Sequence, residues 1–130
     1  MTVIRGEFRL EKVLVVDDDP AIVNLLGSFL RGRAYQVVTA SDGAEAVRKV
    51  KLEHPGIVLL DLNMPGKGGL EVLDEIKNYD HGIGVIVITG LSDPGIGREA
   101  LKKGAFDFLT KPFDLRHLEK VLWWQLQLNG

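Results

Sequence analysis

Ile57-Val58-Leu59-Leu60-Asp61-Leu62-Asn63-Met64-Pro65-Gly66 is a short apolar run that ends abruptly in a carboxylate, with a turn directly behind it. An unbroken apolar run bounded by turn residues reads as a strand covered on both faces, because a strand with one wet face would alternate. Pro65-Gly66 marks the turn. The stretch therefore delivers one acid, Asp61, to the open end of a sheet.

The same plan recurs on both sides. Val13-Leu14-Val15-Val16 is a second run of this kind and ends in Asp17-Asp18-Asp19. Asp19 before Pro20 is a helix start, a capping carboxylate followed by a residue whose missing N–H costs nothing there. Ile22, Leu25, Leu26, Phe29 and Leu30 keep helical spacing, and Gly32 is expected to close that helix. Tyr35 to Thr39 alternates more and reads as a strand nearer an edge. Asp42 with Glu45 resembles a capping box, Ala46, Val47 and Val50 form a helix stripe, and His54-Pro55-Gly56 breaks it. After Gly66-Lys67-Gly68-Gly69 a helix places Leu70, Leu73 and Ile76 inward. Ile83 to Ile88 ends in Thr89-Gly90. The next helix, from about Asp93 to Lys103, contains Pro94, Gly95 and Gly97, so weak first turns are expected. Phe106 to Leu109 leads into Thr110-Lys111-Pro112 and a last helix from Asp114.

Strands alternating strictly with helices specify an α/β fold, a parallel sheet with helices on both faces and right-handed crossovers. In such a three-layer αβα sandwich, ligands bind beyond the carboxyl ends of the strands, near the switch in strand order. The polar strand ends fall there: Asp17 and Asp18 after the first strand, Asp61 after the third, Thr89 after the fourth and Lys111 after the fifth.

Composition narrows the function. A chain of 130 residues with 45% hydrophobic residues builds one domain, expected over residues 12–128 behind a short extension at 1–11. A net charge of −2 gives no basic field for nucleic acid or an anionic membrane. The absence of cysteine excludes disulfides, thiolate metal sites and cysteine nucleophiles. Apolar runs fall far short of the roughly 20 residues that cross a bilayer, and the N-terminus lacks a signal-peptide core. A cytoplasmic protein is expected.

Carboxylates converging in a crevice repel one another and either take up protons or bind a cation. All-oxygen donors favour a hard ion, Mg²⁺ or Ca²⁺. A carboxylate also serves as a covalent phosphoryl acceptor, and phosphoryl transfer needs a metal, a cation and short donors rather than an acid–base pair. Lys111 supplies the cation and Thr89 the hydroxyl. Each residue alone has a plainer reading: a helix cap for Asp18 or Asp19, a turn for Asp61, a strand end for Thr89, a solvated surface for Lys111. The cap reading is retained for Asp19. The other residues together, each at the same end of its strand, point to a site.

These motifs resemble the receiver domain of two-component response regulators. The matching stretches are Val13-Leu14-Val15-Val16-Asp17-Asp18, Leu60-Asp61-Leu62-Asn63-Met64-Pro65-Gly66, Val87-Ile88-Thr89-Gly90 and Gly104-Ala105-Phe106-Asp107-Phe108-Leu109-Thr110-Lys111-Pro112-Phe113. The resemblance implies a flavodoxin-like fold with strand order 2-1-3-4-5, and Asp61 taking phosphate from a histidine kinase or phosphotransfer protein. It implies Mg²⁺ held by Asp18, Asp61 and the Asn63 backbone carbonyl, with Asp17 acting near the metal, often through water. Thr89 and Lys111 would hold the phosphoryl oxygens, Thr89 and Phe108 would act as the switch pair, and the bond before Pro112 would be cis. It further implies an output surface on the fourth helix, fifth strand and fifth helix, which can support a homodimer. The chain would be a stand-alone receiver or part of a longer regulator whose output domain is absent here.

Two departures stand out. Gly68 occupies a position that is often acidic in the family, which is expected to loosen the loop beside the acceptor. The fourth helix is expected to be poorly ordered before phosphorylation and to firm up after it. On the last helix Leu115, Leu118, Leu122 and Leu126 form one stripe that leaves out Trp123 and Trp124; one of the two either packs on a neighbour or both serve a contact. His54, His81 and His117 are scattered and receive no role. The rival enzyme is a haloacid-dehalogenase-type phosphatase with its nucleophile at Asp17, but Ala21 breaks that motif and the chain is short for that fold. A phosphate-independent adaptor conflicts with the complete acid, Thr and Lys set, and a flavin carrier lacks a Ser/Thr-rich loop after the first strand.

Overall fold

Each apolar run forms a strand, and all five pair in parallel in one sheet of order β2-β1-β3-β4-β5. The computed structural model describes residues 11–64, 66, 68–90 and 94–129. In chain order the elements are β1 (Lys12–Val16), α1 (Pro20–Arg31), β2 (Gln36–Ala40), α2 (Gly43–Glu53), β3 (Ile57–Asp61), α3 (Gly69–Tyr79), β4 (Gly84–Thr89), α4 (Pro94–Lys102), β5 (Asp107–Thr110) and α5 (Leu115–Asn129). Most of the expected extension, residues 1–10, lies outside the described residues, as do Pro65, Lys67 and the start expected for α4 at Asp93.

The sheet divides the core in two. Leu14, Val16, Val58, Leu60, Val85 and Val87 face α2, α3 and α4, joined by Ala46, Val50, Val72, Ile76 and Ala100. Val13, Val15, Ile57, Leu59, Ile86 and Ile88 face α1 and α5, joined by Leu26, Leu30, Leu118, Val121 and Leu122. Alternate residues of one strand thus enter opposite cores, which is why β1, β3 and β4 are apolar at consecutive positions.

The helix ends follow local chemistry, and two details differ from expectation, the capping box of α2 and the exposure of Leu25. Asp19 caps α1 as expected, its carboxylate accepting from Ala21 N at 2.9 Å. Asp42 caps α2 through Glu45 N at 2.8 Å, but the Glu45 carboxylate reaches past the cap to Ser41 N, also at 2.8 Å, so the box is displaced by one residue. Gly32 ends α1 in right-handed geometry (φ −65°); the left-handed residue of this turn is Ala34, at φ 69°. Leu25, expected on the inner stripe, is 51% exposed.

Other differences lie where pairing, not pattern, sets the limits. β4 opens at Gly84, opposite Ile57, because Ile83 N turns back to Asp80 O at 3.2 Å while Gly84 N joins the sheet through Gly56 O; a Cβ at Gly84 would collide with the amide of Gln125. Gln125 is buried on α5 between the expected leucines, and its Oε1 has no hydrogen-bond partner among the described residues. Trp123 and Trp124 meet edge to face, with centroids 5.1 Å apart, and both remain more than half exposed. His54 ends α2 in left-handed geometry (φ 50°).

Candidate functional site: an acidic cluster bridged by lysine

The crevice forms where the strand order reverses. β1 and β3 are neighbours with Val16 opposite Leu60, so Asp17 and Asp61 emerge side by side from adjacent strands. Both are 2% exposed, while Asp18 faces solvent. Each buried acid is fastened by the backbone just behind it. Asp17 Oδ1 accepts from Asp19 N at 2.9 Å, and Asp61 Oδ1 accepts from Asn63 N at 2.9 Å.

The free oxygens converge on one cation. Lys111 Nζ lies 3.4 Å from Asp17 Oδ2 and 3.4 Å from Asp61 Oδ2. Its backbone extends the β4–β5 ladder, Lys111 N donating to Thr89 O at 2.8 Å, and the Lys111–Pro112 peptide bond is cis. Thr89 is buried at the end of β4, on the side of Asp61 away from β1. Phe108 is half-buried in β5, opposite Val87, and packs against the core on the α4 side of the sheet.

The charges do not balance. Burial pushes the Asp17 carboxyl above its ordinary value; the Asp19 amide pulls it down, Asp61 pushes it up, Lys111 pulls it down, and the net change is upward. Burial works against the Lys111 charge, but Asp61 and then Asp17 outweigh it, and the ammonium is held more firmly than usual. Asp18 joins Asp17 and Asp61 so that one carboxylate oxygen from each lies within 4.8 Å of the others. Three acids against one lysine leave negative charge in a crevice with only oxygen donors. That set fits a small hard divalent cation such as Mg²⁺.

Two neighbouring surfaces escaped the sequence reading. An apolar cavity of about 470 Å³ adjoins Lys111, lined by Ile22, Leu25, Pro112, Phe113 and Leu115. The half-exposed Leu25 belongs to it, and helical periodicity alone could not separate this face from the core face. A second cavity of about 280 Å³ lies on the β2 side of Asp17 and Asp18, lined by Val23, Asn24, Thr39, Ala40, Ser41 and Glu45.

A doubly wound αβα sandwich with an acidic crevice at its switch point and one lysine bridging the acids defines the class: an open α/β fold whose site is built for a hard cation. Within that class, the chain belongs to the response regulator receiver domain family, whose model matches residues 13–122. It is 37% identical to sporulation initiation phosphotransferase F of Bacillus subtilis over 112 residues, covering 86% of this chain and 90% of that one. It is 40% identical to the transcriptional regulatory protein ZraR of Klebsiella oxytoca, over 85% of this chain but only 25% of that one. Against the alkaline phosphatase synthesis regulatory protein PhoP of B. subtilis the identity is 36%, covering 83% of this chain and 45% of that one. The chain thus spans less than half the length of these two regulators. Among solved structures, a receiver domain protein from Clostridium thermocellum superposes with a TM-score of 0.86 at 31% identity, over 91% of this chain and 95% of that one. A CheY-like receiver from Methanospirillum hungatei gives 0.87 at 28% identity, over 92% and 96%.

The chain is therefore a receiver domain of two-component signal transduction, a signalling module. Receiver domains bind Mg²⁺ at an acidic cluster and interact with histidine kinases or phosphotransfer proteins. Among the described residues, no helix is long and apolar enough to cross a membrane.

Proposed function

We propose that Asp61 is the phosphoryl acceptor and that a histidine kinase or phosphotransfer protein is its donor. The observation that carries this reading is the convergence of Asp17 and Asp61 on Lys111, each at 3.4 Å. Asp61 is the better acceptor because it stands on the central strand. A group attached there has the acids of β1 on one side and Thr89 of β4 on the other. A group attached to Asp17 would be one strand farther from Thr89.

In the transfer, Asp61 Oδ2 attacks phosphorus. The new P–O bond forms as the bond to the donor imidazole nitrogen breaks, and the imidazole leaves. Hydrogen bonding from Asn63 N fixes Oδ1, so the carboxylate enters already oriented. Asp17, Asp18, Asp61 and the Asn63 backbone carbonyl would hold Mg²⁺, whose charge would stabilise the phosphoryl oxygens. Lys111 would then exchange a carboxylate for a phosphoryl oxygen, with the Thr89 hydroxyl beside it. Thr89 and Phe108 would pass the change to the face of α4, β5 and α5, a candidate homodimer face, and α4 would be more ordered after phosphorylation. Slow self-phosphorylation from small donors and slow loss of the phosphate are part of this reading, as is a receiver unit spanning 12–128, alone or within a longer cytoplasmic regulator.

The test is incubation with acetyl phosphate and Mg²⁺ followed by intact-mass measurement. A phosphoryl adduct is expected, absent in Asp61→Asn and absent without Mg²⁺. An adduct that survives Asp61→Asn but vanishes in Asp17→Asn would transfer the nucleophile to β1 and favour the phosphatase reading.

A further inference from the structure

α4 carries a glycine where helix propensity argues for almost any other residue. Gly97 is buried in the middle of the helix, and its missing side chain is matched by an aromatic ring. A Cβ at Gly97 would fall 2.6 Å from Phe108 Cδ2 and 2.8 Å from both Cε2 and Cγ. Real Cβ atoms do not come so close to a ring, so the ring of Phe108 lies directly on the helix backbone. Its own strand position is fixed: Phe108 pairs with Val87, two pairs before the Thr89–Thr110 pair, and its amide is capped by the Asp107 carboxylate at 2.8 Å. Side chains alternate along a strand, so Phe108 shares a sheet face with Thr110, as Val87 does with Thr89.

We propose that Gly97 is a positioning residue: it makes a seat on α4 for the Phe108 ring, and this contact ties the strand end beside Thr89 and Lys111 to the helix next to it. Any side chain at 97 evicts the ring. The link to phosphorylation rests on the receiver reading above, whereas the seat itself does not.

The plain alternative is that Gly97 only weakens α4, and the two readings predict opposite signs. Replacing an interior helical glycine by alanine stabilises a helix when nothing is in the way. The experiment compares wild type, Gly97→Ala, Phe108→Ala and the double variant. With the seat, Gly97→Ala lowers the melting temperature by roughly 2–5 °C in the parent and raises it in the Phe108→Ala background. A rise in both backgrounds overturns the seat. Should Phe108→Ala not fold, the Gly97 α-protons decide it by NMR: they are ring-current shifted in the parent and lose that shift in Phe108→Leu, and equal shifts in both proteins overturn the seat. The coupling is read separately, as the initial rate of acetyl-phosphate modification at a temperature where all variants are folded. Gly97→Ala changes that rate at least about threefold, and the second substitution, Phe108→Ala, returns it toward the rate of Phe108→Ala alone, since each factor of ten corresponds to 1.36 kcal/mol of barrier and threefold is well resolved. An unchanged rate overturns the coupling. If wild type takes no phosphoryl group at all, the acceptor reading fails while the melting comparison still decides the seat.

Discussion

The loops after β1 and β3 hold their acids in the same way and hold the helices behind them in different ways. In both, a buried aspartate accepts from the amide two residues on, at 2.9 Å. After β1 the next residue but one, Asp19, caps α1 with its own carboxylate, and Pro20 begins the helix at once. After β3 the helix waits until Gly69, and its cap position is Gly68, which offers no side chain; only Glu71 reaches back, 3.3 Å from Gly68 N. The first loop is fastened by side chains, the second by close backbone contact, since a Cβ on Gly69 would lie 2.7 Å from Leu62 Cα. The acid is fixed tightly in both, while the second loop leaves its helix start uncapped.

That contrast can be broken by substitution. The largest effect is expected from Gly69→Ala, which has no room between α3 and the Leu62 backbone and should cost about 1–3 kcal/mol in urea unfolding. If it costs nothing, the close approach does not hold the second loop. Next comes Asp17→Asn in the metal-free protein. Removing one of two buried carboxylates that share a lysine should stabilise the fold by about 1 kcal/mol, while the gain in melting temperature on adding Mg²⁺ should shrink. The pH dependence gives the sign. The Asp17 pKa is raised on folding, so the native state holds this proton more tightly than the unfolded chain does. This group's contribution favours folding in acid and is lost as pH rises from its ordinary value of 3.8 through the raised one. Thermal melts across that range should show this slope in wild type and a flatter one in Asp17→Asn. Asp19→Ala should then cost about 1 kcal/mol as a lost cap. Smallest is the reverse experiment, Gly68→Ser, which supplies the second loop with the cap it lacks and should stabilise by about 0.5 kcal/mol or less. Equal responses at positions 19 and 68 would erase the distinction between the loops.

The sheet and the location of the crevice were legible because a parallel sheet makes both simple. Strands buried on both faces lose their alternation, and every carboxyl end points the same way, so polar residues after Val16, Leu60, Ile88 and Thr110 had to meet. Strand order entered only through family resemblance, since pattern does not say which strand neighbours which. Contacts between distant segments were not legible. Nothing near Leu25 distinguishes a groove from a core, and nothing near Gly84 announces the Gln125 amide that lies over it from α5. Ala34 at φ 69° gave no signal because alanine has no preference for that geometry. The lysine bridge likewise needed distances: sequence placed Lys111 at the right end of the sheet but not between two carboxylates.

The tryptophan pair has a practical consequence. Both indoles of this chain sit on α5, 53% and 57% exposed, and touch each other edge to face. Their fluorescence is therefore a muted witness of unfolding, because about half of each indole is already wet in the folded state. For the same reason it is a sensitive witness of anything that settles on α5: a covered indole leaves water and its emission moves to the blue, against a background that the interior of the molecule does not disturb.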